Sequence, residues 1–237
     1  MDNFELLHNG MKLLQSDSLF RLGTDSMLLA DFCIPVNGRS TADLGCGAGT
    51  LGVLLCAQDE KCTVTGIEIQ SEAAALAQQN VALNRLEDRM RVVHGDLREF
   101  RTLLPANSFD LVVSNPPYFP VGSGGQAQEE AFAIARTELY CTPEDLCSAA
   151  RWLLRFGGSF CMVHRPERLA ELCCVLRAHS LEPKRLRLVR HHAGADVSHI
   201  LLDSRLGGKP GLNILPDLIL SGPTGEPTEE YRRIYHM

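Results

Sequence analysis

The chain has 237 residues, of which 45% are hydrophobic and 22% charged, and its formal net charge is −6. This composition is ordinary for a soluble globular protein, and the chain is long enough to bury a substantial core. No apolar run is long enough to span a bilayer, and the acidic start does not resemble a secretory signal. We therefore expect a cytoplasmic protein of one domain, residues 1–237, that does not interact with membranes.

The nine cysteines are scattered along the chain, and none forms a Cys-x-x-Cys pair. Neither a zinc site nor a redox motif is therefore indicated, and we predict no bound metal. The odd number of cysteines and the absence of an export signal favour reduced thiols.

Charge is distributed unevenly. Residues 1–150 carry 10 Lys and Arg against 20 Asp and Glu, whereas residues 151–237 carry 13 against 9. A polyanionic partner would approach the C-terminal part. A charge fluctuation on an ordinary surface explains the same numbers equally well.

The N-terminal segment, residues 1–39, is expected to cover the cofactor and substrate site. Residues 4–15 have the character of a hairpin. A helix follows, which Thr24 or Asp25 would cap and whose apolar face would begin at Met27.

Residues 40–55 have the pattern of a strand, a glycine-rich turn and a helix. Gly47, Gly49 and Gly52 match the G-x-G-x-x-G fingerprint of dinucleotide-binding folds, which alone is a weak indication. The carboxylate of Asp43, at the end of the strand, suits a cationic ligand such as one with an ammonium and a sulfonium group. A nicotinamide-dependent dehydrogenase would account for the glycines but would leave this acid unexplained.

Two further strands also end in acidic residues. Glu68 ends the strand 63–69, about 20 positions beyond the glycine turn, where a carboxylate can accept hydrogen bonds from ribose hydroxyls. Asp96 ends the strand 90–97, where an adenine amino group could donate to it. Any one of these acids is readily explained as a helix cap or loop residue, but three at successive strand ends indicate a cofactor site.

The most informative stretch is Ser-Asn-Pro-Pro-Tyr at 114–118, directly after the apolar strand 109–113. Two consecutive prolines cannot continue a strand ladder because neither has a backbone N–H, so the chain leaves the sheet there. The Asn115 amide and the Pro116 carbonyl are acceptors that suit a planar amino group, and the Tyr118 ring offers a stacking face. We predict that an NH2 group is held here for methylation.

Beyond this site the chain has a capped helix from Thr142, a strand, a helix from Pro166 and two closing strands. The closing strands, 186–189 and 200–203, are joined by too few residues for a crossover helix and should be antiparallel. The predicted fold class is therefore α/β. Residues 40–237 would form a Rossmann-like, mostly parallel seven-stranded sheet with an antiparallel last strand and helices on both faces.

Four features occur in order along the chain: Asp43 with the glycine turn that follows it, then Glu68, then Asp96, and finally the Asn-Pro-Pro-Tyr motif. In these features the chain resembles the class I S-adenosylmethionine methyltransferases. The resemblance implies that the turn contacts the methionine part of S-adenosylmethionine, Glu68 the ribose and Asp96 the adenine, with S-adenosylhomocysteine as product. It also implies methylation of an amino or amide nitrogen at the Asn-Pro-Pro-Tyr motif. The predicted cofactor-binding residues are Thr24, Asp25, Asp43, Gly45, Cys46, Gly47, Gly49, Glu68, Ile69, Asp96, Leu97 and Asn115, and the predicted catalytic residues are Asn115, Pro116, Pro117 and Tyr118.

A narrower resemblance covers nearly the whole chain. Segments 22–29, 134–138, 207–212 and 225–231 look like those of the bacterial tRNA adenine-N6 methyltransferases, which modify the adenosine beside the anticodon of a valine tRNA. Thr137 stands where His is expected in the Ala-Arg-x-Glu motif. The resemblance implies a tRNA substrate, and we expect a monomer. The predicted phosphate contacts, each of which would otherwise be an ordinary surface residue, are Arg136, Lys184, Arg185, Arg187, Arg190 and Lys209.

Two other methyltransferase classes stay open. A protein glutamine-N5 enzyme shares the Asn-Pro-Pro-Tyr motif but usually carries a helical domain before the glycine turn, whereas 42 residues precede Asp43 here. An rRNA guanine-N2 enzyme is the second alternative, and the sequence barely discriminates against it.

Overall fold

A computed structural model describes residues 4–6, 10–15, 23–33, 36–116 and 141–235. Two predicted catalytic residues, Pro117 and Tyr118, and the predicted phosphate contact Arg136 lie outside these ranges. Within them, no helix has both the length and the apolar character that crossing a membrane requires.

The described residues form eleven strands and seven α-helices, with single 3-10 turns at Leu97–Glu99 and Pro166–Arg168. In chain order the elements are β1 (Phe4–Leu6), β2 (Lys12–Leu14), α1 (Thr24–Phe32), β3 (Ser40–Leu44), α2 (Thr50–Gln58), β4 (Thr63–Glu68), α3 (Ser71–Leu83), β5 (Met90–His94), α4 (Phe100–Leu103), β6 (Phe109–Ser114), α5 (Pro143–Leu153), β7 (Leu154–His164), α6 (Leu169–Ala178), β8 (Leu181–His192), β9 (Val197–Leu206), β10 (Asn213–Ile214), β11 (Leu218–Ser221) and α7 (Glu229–Tyr235).

The strands from β3 onwards form one sheet. Its order is β10-β8-β9-β7-β6-β3-β4-β5, and β11 pairs with β8 further along. The strands β5, β4, β3, β6 and β7 are parallel neighbours, whereas β9 runs antiparallel to both β7 and β8. The predicted Rossmann-like sheet with an antiparallel closing pair is therefore confirmed.

The predicted count of seven strands is wrong, because this sheet has nine in the described part of the chain. The additional strands β10 and β11 pair in parallel with successive parts of β8, opposite Arg185–Leu186 and Val189–His192. Both are short: β10 has two residues, both exposed, and β11 has four, of which Leu218 is buried. Together they cover backbone groups along an edge that would otherwise be unpaired.

A separate two-stranded sheet confirms the N-terminal hairpin, since β1 and β2 pair antiparallel. Asn80 of α3 and Asn84, the residue that caps the C-terminus of that helix, hold it. The Asn84 amide bonds to the backbone N–H and carbonyl of Lys12, and the Asn80 amide bonds in the same way to Leu14. Asn80 also donates to the carbonyl oxygen of Ala48 in the glycine turn. The hairpin is therefore fixed beside that turn.

Two predicted helix starts have different outcomes. The predicted cap of α1 is wrong: Gly23 is the cap residue, and Thr24 and Asp25 are the first residues of the helix. The predicted start of α5 is confirmed, because Thr142 and Asp145 form a reciprocal capping box.

Apolar clusters cover both faces of the sheet. One cluster includes residues of α1, α2, α3 and α7, and the other includes residues of α4, α5 and α6. Within β6, Leu111 and Val113 belong to the first cluster and Val112 to the second. Because both faces are covered, the strand is a continuous apolar run rather than an alternating one.

Candidate active site

The carboxyl ends of β3, β4 and β6 meet at one edge of the sheet. Asp43 near the end of β3 lies opposite Gly66 of β4 and Val113 of β6. Glu68, two residues after Gly66, is the last residue of β4, and Asn115, two residues after Val113, directly follows the end of β6. All three polar residues therefore belong to the same edge of the sheet. In open α/β sheets this is the edge at which ligands bind.

The turn between β3 and α2 exposes backbone to this edge. Gly45, Gly47 and Gly49 have φ values of +72°, +54° and +79°, a region that favours glycine. A Cβ at Gly45 or Gly47 would meet no described atom within 4 Å, whereas one at Gly49 would lie 3.0 Å from Met90 Cε. The first two glycines therefore leave room for a ligand, and the third permits close packing.

The Glu68 carboxylate holds this turn in place. Its Oε2 accepts a hydrogen bond from the Gly47 N–H at 2.8 Å, and its Oε1 accepts one from the Gln70 N–H at 2.8 Å. Each carboxylate oxygen can accept a further hydrogen bond. The predicted contact with ribose stays a prediction, and the structure adds a role in shaping the turn.

The Asp43 carboxyl is almost fully buried beside the turn. It accepts a hydrogen bond from the Gly52 N–H, yet its Oδ2 has no partner among the described residues. Burial, together with the charge of Glu68, raises the pKa of Asp43 to about 7. A buried oxygen without a partner is unfavourable, so a ligand that brings a cation or an N–H to this place would stabilise it.

These features fit the predicted S-adenosylmethionine. The open glycine backbone suits the close approach of its methionine part, and Asp43 and Glu68 supply carboxylates beside it. Cys46 lines the turn as a neutral thiol, because burial raises its pKa well above the usual range. Among the described residues, no group of three or more His, Cys, Asp or Glu side chains is arranged to hold a metal ion.

The predicted adenine contact, Asp96, already has a partner. Its carboxylate accepts hydrogen bonds from the Arg98 backbone N–H at 2.9 Å and from Arg98 Nε at 3.0 Å. The side-chain hydrogen bonds from Arg98 lower the pKa of Asp96. An adenine amino group would share this carboxylate with the arginine. The neighbouring Leu97 is buried in the core, and the Ile69 carbonyl accepts from His94 Nε2 at 3.0 Å.

Thr24 and Asp25 are held by the C-terminal part of the chain. Asp25 Oδ1 lies 3.4 Å from His199 Nε2 in β9. The Thr24 side chain hydrogen-bonds to that of Tyr235 in α7. Their predicted contact with the cofactor stays a prediction, and any such contact would be made alongside these two interactions.

Asn115 directly follows a residue that is hydrogen-bonded to the start of the glycine turn. Ser114, the last residue of β6, donates from its hydroxyl to the carbonyl oxygen of Leu44, the residue before Gly45, at 2.9 Å. Asn115 Nδ2 donates to Ser26 Oγ of α1 at 3.0 Å. Asn115 and the following Pro116 are both half-buried, and the predicted contact of Asn115 with the cofactor and with the target amine stays a prediction.

Ser26 and Ser114 are not among the predicted site residues. Both are buried polar residues next to apolar ones, Ser26 before Met27 and Ser114 after Val113. A hydroxyl in such a position needs a hydrogen-bond partner. That requirement was the available signal, but it did not indicate which partner each serine has.

The predicted phosphate contacts on β8 are largely paired within the protein. The guanidinium of Arg185 lies over the ring of Phe32, 4.6 Å from its centroid. Lys184 Nζ donates to the Lys209 carbonyl oxygen at 3.0 Å, and Lys209 itself is exposed. The ion pairs are Arg185 with Asp203 at 2.7 Å, Arg187 with Glu230 at 2.8 Å and Arg190 with Asp217 at 2.6 Å. Contact of these arginines with RNA stays a prediction.

Comparison with known proteins gives consistent matches. A family model described as "Methyltransferase small domain" matches residues 18–173. The chain is 27% identical over 219 residues to the tRNA1(Val) (adenine(37)-N6)-methyltransferase of Aeromonas salmonicida, covering 91% of this chain and 89% of that protein. It is 30% identical over 194 residues to the Aeromonas hydrophila protein of the same name, covering 81% and 78%.

A solved structure supports the fold. The chain superposes on a predicted O-methyltransferase from Agrobacterium tumefaciens with a TM-score of 0.73 at 24% identity. The superposition covers 90% of this chain and 96% of the other.

Proposed function

The chain belongs to the methyltransferase small domain family and to the family of the tRNA1(Val) (adenine(37)-N6)-methyltransferases, and from this premise we propose that it transfers a methyl group from S-adenosylmethionine to the N6 amino group of an adenine in tRNA. The names of the relatives specify adenine 37 of tRNA1(Val), and the same nucleotide is our proposed target. The other product is S-adenosylhomocysteine.

One observation supports the proposal above all others: Asn115 directly follows β6, whose last residue, Ser114, is hydrogen-bonded to the residue that precedes the glycine turn. The 2.9 Å hydrogen bond from Ser114 to Leu44 joins these two strand ends. An amino group held at Asn115 would therefore be close to a methyl donor resting on Gly45 and Gly47.

The proposed role of Asn115 and Pro116 follows from the chemistry of an adenine amine, which is a poor nucleophile because its lone pair is delocalised into the ring. The Asn115 amide oxygen and the Pro116 carbonyl would accept the two amine hydrogens. That would favour a pyramidal nitrogen with its lone pair directed at the methyl group. No general base is needed before transfer, since the nitrogen proton becomes much more acidic afterwards. Alignment of this kind can contribute several kcal/mol to the rate.

When bound, S-adenosylmethionine supplies a methyl group on a sulfonium. The ionised Asp43 carboxylate would stabilise the cationic methionine part, and Glu68 would accept hydrogen bonds from the ribose. Gly45 and Gly47 would let the backbone approach the ligand, because nothing described lies within 4 Å of their Cβ positions.

The base must leave its stack to reach Asn115, which costs a few kcal/mol and least in a loop. Tyr118 is the proposed stacking partner of the extruded base. Pro117, between Pro116 and Tyr118, would keep the chain out of the sheet. An anticodon-loop adenine is consistent with this requirement.

A methyl-transfer assay tests the proposal and its two alternatives. Labelled S-adenosylmethionine is supplied with bulk tRNA, with rRNA or with a release-factor protein, and the product is identified by mass spectrometry. We expect N6-methyladenosine in tRNA. Methylated guanine in rRNA or methylated glutamine in protein would contradict the proposal and identify the alternative.

Two variants show whether the activity belongs to this site. N115A should lower transfer about 100-fold or more, as expected when a polar group aimed at the reacting atoms is removed, while S-adenosylhomocysteine affinity changes only a few-fold. N213A is the matched control, since Asn213 is exposed in β10, and it should retain wild-type transfer.

A further inference from the structure

The nitrogen of the Asn115 amide is bonded to a residue 89 positions earlier in the chain. Asn115 Nδ2 donates to Ser26 Oγ at 3.0 Å, and Ser26 is only 8% exposed. An amide carries its donors on nitrogen and its acceptors on oxygen. Because the nitrogen is bonded to α1, the other end of the amide is the acceptor oxygen that the proposed reaction needs.

Helix α1 holds the Ser26 hydroxyl in a fixed position. The residues that follow Ser26 in the helix, from Met27 to Ala30, are buried. The guanidinium of Arg233 in α7 forms two hydrogen bonds to the Asp31 carboxylate, at 2.7 and 2.9 Å. The Thr24 side chain is bonded to Tyr235 at the other end of the helix. A helix held by packing and at both ends keeps its side chains in register with their partners.

We propose that Ser26 is a positioning residue for methyl transfer, which holds the Asn115 amide so that its oxygen accepts a hydrogen of the target amine. This inference rests on the proposed function, and Ser26 acts through Asn115. The terminal torsion of asparagine is broad and roughly two-fold. Without the serine hydroxyl the amide can turn over, which would point its NH2 group at the donor hydrogens of the amine.

The Ser26→Ala and Ser26→Thr variants test this role. Alanine has the highest helix propensity, so S26A should keep α1 folded. We expect S26A to lower kcat about tenfold, because a small misplacement of an aligning group has an effect of this order or larger. The KM for tRNA and the affinity for S-adenosylhomocysteine should change less than twofold. S26T retains a hydroxyl and should restore most of kcat.

Two comparisons separate positioning from loss of stability. Ser204 of β9 is fully buried, and its hydroxyl donates to the Phe160 carbonyl oxygen at 3.3 Å. S204A should lower the melting temperature but leave kcat unchanged. The double variant S26A/N115A should be no slower than N115A alone, since Ser26 has nothing to position once Asn115 is absent.

The side-chain amide resonance of Asn115 gives a readout that does not depend on the substrate. Its 15N–1H signal, assigned by its loss in N115A, should shift in S26A and return towards the wild-type position in S26T. An unshifted resonance, an undiminished kcat in folded S26A, or a further loss of rate in the double variant would each overturn the role of Ser26. If wild-type protein methylates no tRNA, the proposed function fails, while the amide resonance still shows whether Ser26 holds Asn115.

Discussion

The hydroxyl of Ser114 donates to the carbonyl oxygen of Leu44 at 2.9 Å, and both residues are buried. This hydrogen bond connects the end of β6 to the start of the glycine turn. Ser114→Ala would leave a buried carbonyl without this partner, which typically costs about 1–3 kcal/mol. We expect a lower melting temperature and slower methyl transfer, measured by calorimetry and by the transfer assay.

Ser108 provides the control for that variant. Its hydroxyl also donates to a backbone carbonyl, either that of Pro105 at 3.0 Å in an exposed bond or that of Ala106 at 3.0 Å in a partly buried one. Water can replace it, so S108A should have little effect on stability and none on transfer. Equal losses in S114A and S108A would argue against a special role for the Ser114 bond.

A second prediction concerns the open space beside Gly47. Gly47→Ala adds a methyl group at φ +54°, where no described atom lies within 4 Å. Backbone strain should cost about 1–3 kcal/mol. Because the methyl would stand where the proposed ligand approaches, the affinity for S-adenosylhomocysteine should fall at least tenfold in isothermal titration.

Gly157 in β7 allows strain to be separated from obstruction. Its φ is +81°, and a Cβ there would also meet nothing described within 4 Å. G157A should therefore show a similar fall in melting temperature with unchanged ligand affinity. Unchanged affinity in G47A as well would place the cofactor elsewhere.

A third prediction follows from Asp43, whose pKa is raised from the ordinary value of 3.8 to about 7. Between these two pH values the folded protein retains a proton that the unfolded chain has released. The contribution of this carboxyl to stability therefore falls as pH rises through that window and is lowest above pH 7. Asp43→Asn should raise the melting temperature relative to wild type at pH 8, and the difference should shrink towards pH 5.

The same substitution should weaken cofactor binding. The ammonium group that S-adenosylhomocysteine shares with the cofactor favours the ionised carboxylate, so wild-type affinity for this ligand should rise from pH 6 to pH 8, and D43N should lose this dependence. Asp59 is the control, because its pKa is shifted in the opposite direction: the hydrogen bond from the Gly38 N–H lowers it. D59N should not stabilise the protein at pH 8. A wild-type affinity that is flat across this pH range would contradict the assignment of Asp43.

A fourth prediction distinguishes two basic residues of the C-terminal part. Lys209 is exposed, whereas Arg185 is paired with Asp203 and packed on Phe32. Lys209→Glu should weaken tRNA binding several-fold and reduce its salt dependence, without changing S-adenosylhomocysteine affinity. Arg185→Glu should instead destabilise the fold, because it places two acids together. Filter binding at several salt concentrations and thermal melting measure the two effects; unchanged tRNA affinity in K209E would refute the phosphate contact.

Much of the sheet was predictable because its signals are local. Apolar runs end at acids or prolines, and the break after Ser114 and the capping box at Thr142 are both readable within a few residues. The strands β10 and β11 were not predictable, since they form by pairing with β8 and not because of a pattern in their own sequence. The backbone groups at the edge of β8 require hydrogen-bond partners, but no periodicity in residues 213–221 indicates that this segment supplies them.

In the candidate site, too, some features were predictable from the sequence and others were not. The positions of Asp43, Glu68 and Asn115 at one edge follow from the order of parallel strands. The bond between Ser26 and Asn115 joins residues 89 positions apart and required the three-dimensional arrangement. The pairing of Arg187 with Glu230 likewise depends on how the last helix folds back.

The ion pair between Asp31 and Arg233 spans 202 positions of the chain. During synthesis, α1 therefore emerges from the ribosome 202 positions before the residue that ties it down. The parallel strands that carry Asp43 and Glu68 precede Arg233 by more than half the chain, so they can begin to associate while translation continues. A nascent polypeptide that stops shortly before Arg233 would lack this ion pair, and α1, whose Ser26 is bonded to Asn115, would be held less firmly. The proposed methyl transfer would therefore become fully active only after Arg233 has been added.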